Sequence, residues 1–311
     1  MTKFIKKTSI LLCIIIVTLF IYEKSYRAIP NRYSYIYSYL QNKTKAKKIK
    51  CLLLGTSHSS YNINPRYLSL KSFSAACANQ PVFMDYKIAY HFLLDNYTLT
   101  SLKYIVLAYD ITTLSVEDFV SNSQKVNYKI YWHFDNIPKI PFYLNFKFYN
   151  PQMKNYISYL LGNYKVNYDS SGWFSSNFDT IDVSKITEKL IKKRIDEISL
   201  SSVKSVEELN ISKSYLFKLA ELCKKKHINL ILMNSPKTKY FLSHRHKDDV
   251  IYMDSLAGCL SIKYNNVFYA NWAEDSVFTI NNFSDLDHLN VSGAKKLSYK
   301  LNKLIEYLDK K

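Results

Sequence analysis

Glycine is scarce in this chain: five glycines stand among 311 residues, against 28 tyrosines and 17 phenylalanines. Neither a G-x-G-x-x-G nor a G-x-x-x-x-G-K-[ST] pattern occurs, which argues against a glycine-rich phosphate-binding loop. Cysteine is also rare, and five cysteines without a C-x-x-C pair argue against a disulfide framework or a cysteine zinc site. We therefore expect no cofactor, and we expect Cys51 and Cys77, each in an apolar run, to be buried free thiols.

Acidic residues are few, since 25 Asp and Glu face 43 Lys and Arg, which gives a net charge of +18. This charge favours an anionic neighbourhood, which is nucleic acid, an anionic membrane face or an acidic envelope polymer. The alternative is a lysine-rich surface that is merely solvated. No nucleic-acid recognition motif occurs, so nucleic acid is not an expected partner.

The N-terminus carries an uncharged apolar segment. Residues 1–7 are basic, with Lys3, Lys6 and Lys7, and residues 8–22 contain no charge. A membrane-spanning helix needs about 20 apolar residues, so this segment predicts a transmembrane anchor. The alternative is a cleaved signal peptide, but no A-x-A site follows. Lysines precede the anchor, but Lys24, Arg27 and Arg32 follow it, so charge alone does not decide the orientation. We expect a single-pass membrane protein with its main domain extracytoplasmic, mainly because a short N-terminal anchor ahead of one large domain is the usual export arrangement.

The rest of the chain alternates between apolar runs and helical patterns. Residues 23–49 are interpreted as a juxtamembrane stalk, and residues 50–311 as one domain with an insertion at 111–205. Five buried strands are predicted, at 50–54, 72–77, 104–109, 228–233 and 266–270. Strands that alternate with helices predict an α/β fold with a parallel sheet covered on both faces, a three-layer α/β/α arrangement.

The predicted insertion is aromatic and has no clear period before residue 183. An insertion of this size between core elements is often a lid or a substrate-binding cap. The alternative is a satellite hydrophobic cluster that only packs on the core.

Two short segments carry chemistry. Gly55-Thr56-Ser57 follows the first predicted strand, and Asp285-x-x-His288 precedes the last predicted helix. Both should lie at the carboxyl edge of the sheet, where a serine, a base and its orienting carboxylate would form a Ser-His-Asp set. Asp287 is expected to point into solvent. The alternative is a capped turn and a helix-start loop that never meet.

These segments resemble the first and last blocks of the SGNH/GDSL hydrolases. The closer likeness is to membrane-anchored bacterial envelope members, including DltD-like proteins, in which a G-[ST]-S-[HR] turn accompanies a D-x-D-H-L-N-x-x-G ending. The direct match covers about twenty residues, because only these two blocks align. The resemblance implies a three-layer, flavodoxin-like fold, with Ser57 as nucleophile, His288 as general base and Asp285 as its orienter.

The sequence departs from the family pattern at the oxyanion hole. Typical members have a G-x-N-D block, whereas residues 108–110 here are Ala-Tyr-Asp. We expect the Ser57 amide and Asn79 to serve as donors, although Asn79 could instead cap the helix that follows Pro81. His58 is interpreted as a substrate contact, or alternatively as a cap of the first helix.

Two other polar segments have weaker cases. Asn234 follows a strand and should face the site edge, although Asn-Ser-Pro is ordinarily a turn. His244 and His246 flank Arg245, but no metal motif includes them and a solvated loop is the alternative. No metal site is therefore expected.

The resulting hypothesis is a serine-dependent acyl-ester hydrolase or O-acyltransferase that acts on a cell-envelope polysaccharide or glycolipid. The alternative is a non-catalytic accessory protein of the same fold, which binds envelope polymer or partners a membrane-bound acyltransferase. A third hypothesis, nucleic-acid binding, rests on charge alone.

Overall fold

The protein was studied as a computed structural model. It describes residues 2–114, 122–132, 134, 153–174, 179–199 and 206–310. The chain divides into two compact units, residues 1–37 with 121–166, and residues 38–120 with 167–311. Each unit is considered by itself.

Thirteen α-helices fall within the described residues. The first eight are α1 Thr2–Arg27, α2 Arg32–Gln41, α3 Lys43–Ala46, α4 Ser57–Ser60, α5 Val82–Tyr90, α6 Ile111–Leu114, α7 Asn122–Trp132 and α8 Met153–Leu160. The other five are α9 Glu188–Glu197, α10 Val206–Lys225, α11 Lys239–His244, α12 Lys247–Lys263 and α13 Val291–Leu308.

The larger unit is built on one parallel sheet. Its strands are β1 Cys51–Leu54, β2 Ser72–Ser74, β3 Tyr104–Ala108, β4 Asn229–Asn234 and β5 Val267–Asn271. Their order is β2-β1-β3-β4-β5, and each adjacent pair is parallel. This is the strand order of doubly wound sheets of the flavodoxin type. The predicted α/β class and parallel sheet are confirmed, while the three-layer arrangement stays a prediction.

Buried apolar strands hold this unit together. All residues of β1, β2 and β3 are buried, as expected for parallel strands with no solvated face. Alternate strand residues such as Leu53 and Val106 pack with Leu297 and Leu301 of α13 in one core cluster. This packing fixes the carboxyl edge of the sheet, where β1 and β3 both end.

The smaller unit contains the apolar N-terminal helix. Residues 3–27 of α1 are long and apolar enough to cross a membrane, with a mean hydropathy of 2.3 over the most apolar 18-residue window. The helix extends beyond the predicted anchor at 8–22 because residues 23–27 continue it. Near its end, the Ser25 hydroxyl and the Tyr156 hydroxyl lie 2.8 Å apart, and Tyr22 and Tyr26 pack against the Tyr156 ring. The orientation across a membrane stays a prediction.

The predicted insertion at 111–205 is divided between the units. Residues 121–166 belong to the unit that contains residues 1–37, and residues 167–205 belong to the larger unit. Parts of the insertion, including residues 135–150, lie outside the described residues. The domain boundaries and the role of a lid stay predictions.

Candidate active site

Ser57 lies on a tight turn directly after β1. Gly55 has φ +102°, and a Cβ at this position would lie 3.0 Å from the Cβ of Ala108 on the neighbouring strand. The turn therefore requires glycine, because any side chain would be strained and crowded. Thr56 caps α4 through its hydroxyl, which accepts a hydrogen bond from the His58 N–H. Ser57 is thus the first residue of a short helix at the carboxyl edge of the sheet.

The structure brings Ser57, His288 and Asp285 together. The Oγ of Ser57 lies 2.8 Å from Nε2 of His288, and Nδ1 of His288 lies 2.8 Å from Oδ2 of Asp285. Ser57 and His288 are each 9% exposed. A carboxylate can only accept at Nδ1, so Nδ1 carries the proton and Nε2 is left to accept from the serine hydroxyl. This is the arrangement that a serine nucleophile and its base require.

Asp285 is held in place by the backbone of its own loop. Its Oδ1 accepts hydrogen bonds from the N–H groups of Asp287 and His288, at 3.0 and 2.7 Å. Partial loss of hydration acts to raise the pKa of Asp285, whose side chain is still 54% exposed, but the hydrogen bond and charge of His288 outweigh this effect and hold the pKa below its ordinary value. The carboxylate therefore stays ionised beside the imidazole.

The prediction that Asp287 points into solvent is wrong. Its side chain is 1% exposed, and Arg194 donates to both of its oxygens, from Nε at 3.0 Å and from Nη2 at 2.7 Å. The turn made by Asp285 directs residue 287 inward, and the guanidinium compensates the buried charge. Burial acts to raise the pKa of Asp287, yet the charges of His288 and Arg194 and the hydrogen bond from His58 hold it well below its usual range.

His58 does not cap α4, because Thr56 does. Its imidazole is 2% exposed and stacks on the His288 ring, with centroids 4.7 Å apart and planes inclined by 21°. Nδ1 is paired with the Asp110 carboxylate, and Nε2 lies 3.0 Å from Oδ2 of Asp287. A substrate contact by His58 stays a prediction.

Lys237 completes this buried cluster. Its Nζ lies 2.9 Å from Nε2 of His58 and 3.8 Å from Oδ2 of Asp110. Burial lowers the pKa of Lys237 despite the opposing charge of Asp110. Burial and Lys237 act to lower the pKa of His58, but Asp110 and Asp287 outweigh them and raise it.

Asn79 is the next predicted site residue. Asn79 adopts a left-handed conformation, with φ 52°, in the turn before α5. The N-cap of α5 is Pro81, so the predicted capping role of Asn79 is wrong. Among the contacts of the described residues, none joins Asn79 to Ser57. Its role as an oxyanion donor stays a prediction.

Asn234 ends β4 and lines a neighbouring, partly open pocket. His58 and Lys237 lie on the polar side of this pocket, and Ile195 and Phe241 are among its apolar walls. Asn234 therefore lines the same pocket as His58 and Lys237, and its role at the site stays a prediction.

Asn62 is a residue that the sequence did not reveal. It is fully buried, its Oδ1 accepts the Leu289 N–H at 2.9 Å, and its Nδ2 donates to the Ser235 hydroxyl at 3.2 Å. It holds the loop that carries His288 to the segment after β4. Asp110 and Lys237 also follow strands, which is the signal that could have indicated them.

Part of the predicted insertion lies next to the site. The Trp173 indole N–H donates to the carbonyl of Tyr61 at 3.2 Å. The Tyr61 ring lies between the rings of Phe174 and His288, at 4.9 and 5.4 Å. The Tyr61 ring, in contact with His288, and the Phe174 ring, in contact with Tyr61, therefore border this part of the site.

Within the described residues, the only group with metal-ligand spacing is His58, Asp287 and His288. The ring nitrogens and carboxylate oxygens of these three residues already pair with one another. The Arg194 guanidinium also contacts Asp287, and the Lys237 ammonium contacts His58. Two neighbouring positive charges oppose a divalent ion, so the donor set does not fit a metal. His244 is exposed, and its Nδ1 is bound by Ser243 and the Tyr240 carbonyl.

The comparisons with known proteins are distant. A protein-family model matches residues 178–308, a stretch that contains Asp285 and His288 but not Ser57. Comparison with curated proteins finds no match. A solved structure from Bacteroides fragilis, described as a putative acylhydrolase, is similar with 11% identity and a TM-score of 0.39. The alignment covers 92% of this chain and 95% of that chain. A likeness this distant carries no argument about function. The proposal of a function rests on the geometry of the site.

Proposed function

We propose that this protein is a serine-dependent acyl-ester hydrolase or O-acyltransferase of the SGNH type. The observation that carries the proposal is the pair of 2.8 Å contacts that links Ser57 Oγ to His288 Nε2 and His288 Nδ1 to Asp285. Geometry of this kind activates a hydroxyl that is otherwise a weak nucleophile.

The reaction begins when Ser57 Oγ attacks the carbonyl carbon of an acyl ester and passes its proton to His288 Nε2. Asp285 stabilises the imidazolium that forms. As the tetrahedral intermediate collapses, the bond to the alcohol breaks and the alcohol oxygen takes the proton from His288. The acyl group is now an ester of Ser57. Water or a sugar hydroxyl, deprotonated by His288, then accepts the acyl group and restores Ser57.

The oxyanion of the intermediate needs two donors. As the first residue of α4, Ser57 has a backbone N–H with no partner inside that helix. Asn79 is proposed as the second donor, through its backbone or side chain. Its left-handed turn precedes α5 near the end of β2.

The proposed substrate is a cell-envelope polysaccharide or glycolipid. An apolar helix at 3–27 could anchor the chain at a membrane, and the net charge of +18 attracts anionic polymers. The rings of Tyr61 and Phe174 next to His288 suit the face of a sugar. We propose an extracytoplasmic location for the larger unit on these grounds.

The test is the intact mass of the full-length chain in detergent after reaction with a fluorophosphonate. We expect one adduct on the wild type and none on Ser57→Ala. Ser59→Ala is the matched control, because Ser59 lies on the same short helix and its buried hydroxyl has no hydrogen-bond partner within the part of the chain that the structure describes. A folded wild type without an adduct would contradict the proposal, and so would an adduct that persists in Ser57→Ala.

A second candidate is a non-catalytic accessory protein that binds envelope polymer or partners a membrane-bound acyltransferase. Its support is Asp110, which stands where the family pattern has an oxyanion-hole asparagine. The Asp110 carboxylate is paired with His58 and Lys237 and cannot donate to an oxyanion. This candidate predicts no adduct on folded wild type, together with retained binding of an anionic envelope polymer.

A further inference from the structure

Two carboxylates lie on the Nδ1 side of His288, and they differ in their surroundings. Oδ2 of Asp285 is 2.8 Å from Nδ1, and its side chain is 54% exposed. Oδ1 of Asp287 is 3.7 Å from the same nitrogen, and its side chain is 1% exposed. The nearer carboxylate is thus open to solvent and the farther one is buried.

Because they differ in exposure, the two carboxylates act on His288 in different ways. Asp285 makes the direct hydrogen bond and accepts two backbone N–H groups, so it fixes the orientation of the ring. Water screens an exposed charge, whereas a buried charge a similar distance away acts through a lower effective dielectric. Asp287 lies beyond hydrogen-bond distance of Nδ1, but its charge acts on the imidazole with little screening.

Arg194 partly neutralises the charge of the Asp287 carboxylate and so limits its effect on His288. It contacts both oxygens of Asp287 and is itself 28% exposed at its side chain, with Glu197 3.7 Å away. His58 Nε2 also lies 3.0 Å from Oδ2 of Asp287, and the His58 ring stacks on the His288 ring. Arg194 Nε thus contacts Oδ1, the same Asp287 oxygen that lies 3.7 Å from His288 Nδ1.

Tyr61, Asp110 and Lys237 are further titratable groups near His288. Tyr61, the C-cap residue directly after α4, packs against the ring as an aromatic neighbour. Behind His58, Asp110 and Lys237 lie 3.8 Å apart and balance each other. Asp287 and Arg194 therefore form the ion pair that faces His288 most directly.

We propose that Asp287 is a positioning residue that sets the basicity of His288 through its buried charge, and that Arg194 limits this effect. The inference rests on the proposed function, since it concerns the base of that reaction. Asp285 orients the ring, Asp287 adjusts its proton affinity, and the two carboxylates are not interchangeable.

Two substitutions are expected to move the pH dependence in opposite directions. Asp287→Asn removes an anion next to the imidazolium, so the acidic limb of the rate profile should shift to lower pH by roughly one unit. Arg194→Gln leaves Asp287 less compensated, so the same limb should shift to higher pH. A general loss of stability would not produce shifts of opposite sign.

The experiment measures the rate of fluorophosphonate reaction with Ser57 between about pH 5 and about pH 9 in the full-length chain in detergent. The wild type is compared with Asp287→Asn, Arg194→Gln and Lys192→Gln. The last is the charge-matched control, because Lys192 lies on the same helix as Arg194 but is exposed. We expect Lys192→Gln to retain the wild-type profile.

The outcomes separate the two proposals. Opposite shifts support the inference. A wild type that reacts at Ser57 while both variants keep its acidic limb overturns the inference and leaves the proposed function standing. A folded wild type that does not react overturns both. If Asp287→Asn fails to fold, the upward shift of Arg194→Gln decides alone, and an unchanged or lowered limb in that variant overturns the inference.

Discussion

The backbone N–H of Gly55 donates a hydrogen bond to Oδ1 of Asp85 over 2.8 Å, and this contact ties the turn before Ser57 to α5. Asp85 is fully buried and also accepts from the side-chain amide of Gln80. Burial raises the pKa of Asp85 to about 7, although the hydrogen bonds from Gln80 and Gly55 oppose the shift. The Asp85 carboxyl, which supports the turn before Ser57, therefore titrates near neutral pH.

Asp85 should make the stability of the protein depend on pH. Because its pKa rises from 3.8 in the unfolded chain to about 7 in the folded one, the folded state binds the extra proton between these values. The stability contribution is present below the lower value and is lost as the pH rises through the upper one. Thermal unfolding of the wild type in detergent should thus show a falling midpoint over this range.

Asp85→Asn should remove this dependence. An amide keeps an acceptor for Gly55, and its N–H₂ replaces Oδ2, which has no hydrogen-bond partner among the described residues. We expect a flatter profile and a higher unfolding midpoint than the wild type at about pH 8. A variant that loses stability across the same range as the wild type would contradict the role of Asp85.

Gly55→Ala should destabilise the fold and slow the reaction of Ser57. The new Cβ would stand in a left-handed conformation, 3.0 Å from both the Cβ and the backbone nitrogen of Ala108. We expect a loss of roughly 1–3 kcal/mol in the free energy of unfolding. Gly162→Ala, with φ +72° and no atom of the described residues within 4 Å of its Cβ, controls for backbone strain alone.

Gly258→Ala is the second control. Gly258 lies inside α12 with nothing within 4 Å of its Cβ, so alanine should stabilise that helix by about 0.5–1 kcal/mol. A Gly55→Ala protein as stable as Gly162→Ala would show that Ala108 can move aside and that crowding is not the reason for glycine.

The sequence was sufficient for the parts of the site that depend on local pattern. Ser57 and His288 could be predicted because a turn after one strand and a loop before the last helix both reach the carboxyl edge of a parallel sheet. The inward direction of Asp287 could not, because it depends on Arg194, 93 residues away in sequence. Asn62 was also out of reach, since its burial depends on contacts with Leu289 and Ser235.

The same distinction holds for the fold. Each strand was visible as an apolar run, and the alternation with helices indicated a parallel sheet. The run at 72–77 forms a ladder only at Ser72–Ser74, because strand length is set by the register with Cys51–Leu53. Strand order depends on where each crossover returns, and this is a property of packing rather than of any one segment.

Thiol accessibility should distinguish the cysteines of the larger unit. Cys259 is exposed, whereas Cys51, Cys77 and Cys223 are buried. Burial raises the pKa of Cys51 to about 12, which removes the reactive thiolate.

Under native conditions, iodoacetamide should modify Cys259 and leave the other three unmodified until the protein is denatured, as read by peptide mass. Cys259→Ser serves as the control and should lose that modification. Rapid native modification of Cys51 would contradict the buried position of β1.

Asn62→Ala should weaken both the fold and the reaction. It leaves the Leu289 N–H and the Ser235 hydroxyl without the partner that now joins them. Unpaired buried polar groups cost roughly 1–3 kcal/mol, so the unfolding midpoint should fall. Because Leu289 follows His288 directly, the imidazole should also lose its fixed distance to Ser57. A displacement of about 1 Å can reduce a rate by up to about 10²-fold, so fluorophosphonate labelling should slow even where the variant is fully folded.

Asn302→Ala is the matched control for Asn62. Asn302 also accepts a backbone N–H, from Ser69 at 2.7 Å, but this bond is exposed to solvent and far in sequence from His288. Water can replace an exposed partner, so we expect a smaller loss of stability than in Asn62→Ala and an unchanged labelling rate. Equal labelling rates in the two variants, with Asn62→Ala folded, would mean that the His288 loop keeps its position without Asn62. In that case the contact between His288 and Ser57 would depend on Asp285 and the buried pair of Asp287 and His58 alone.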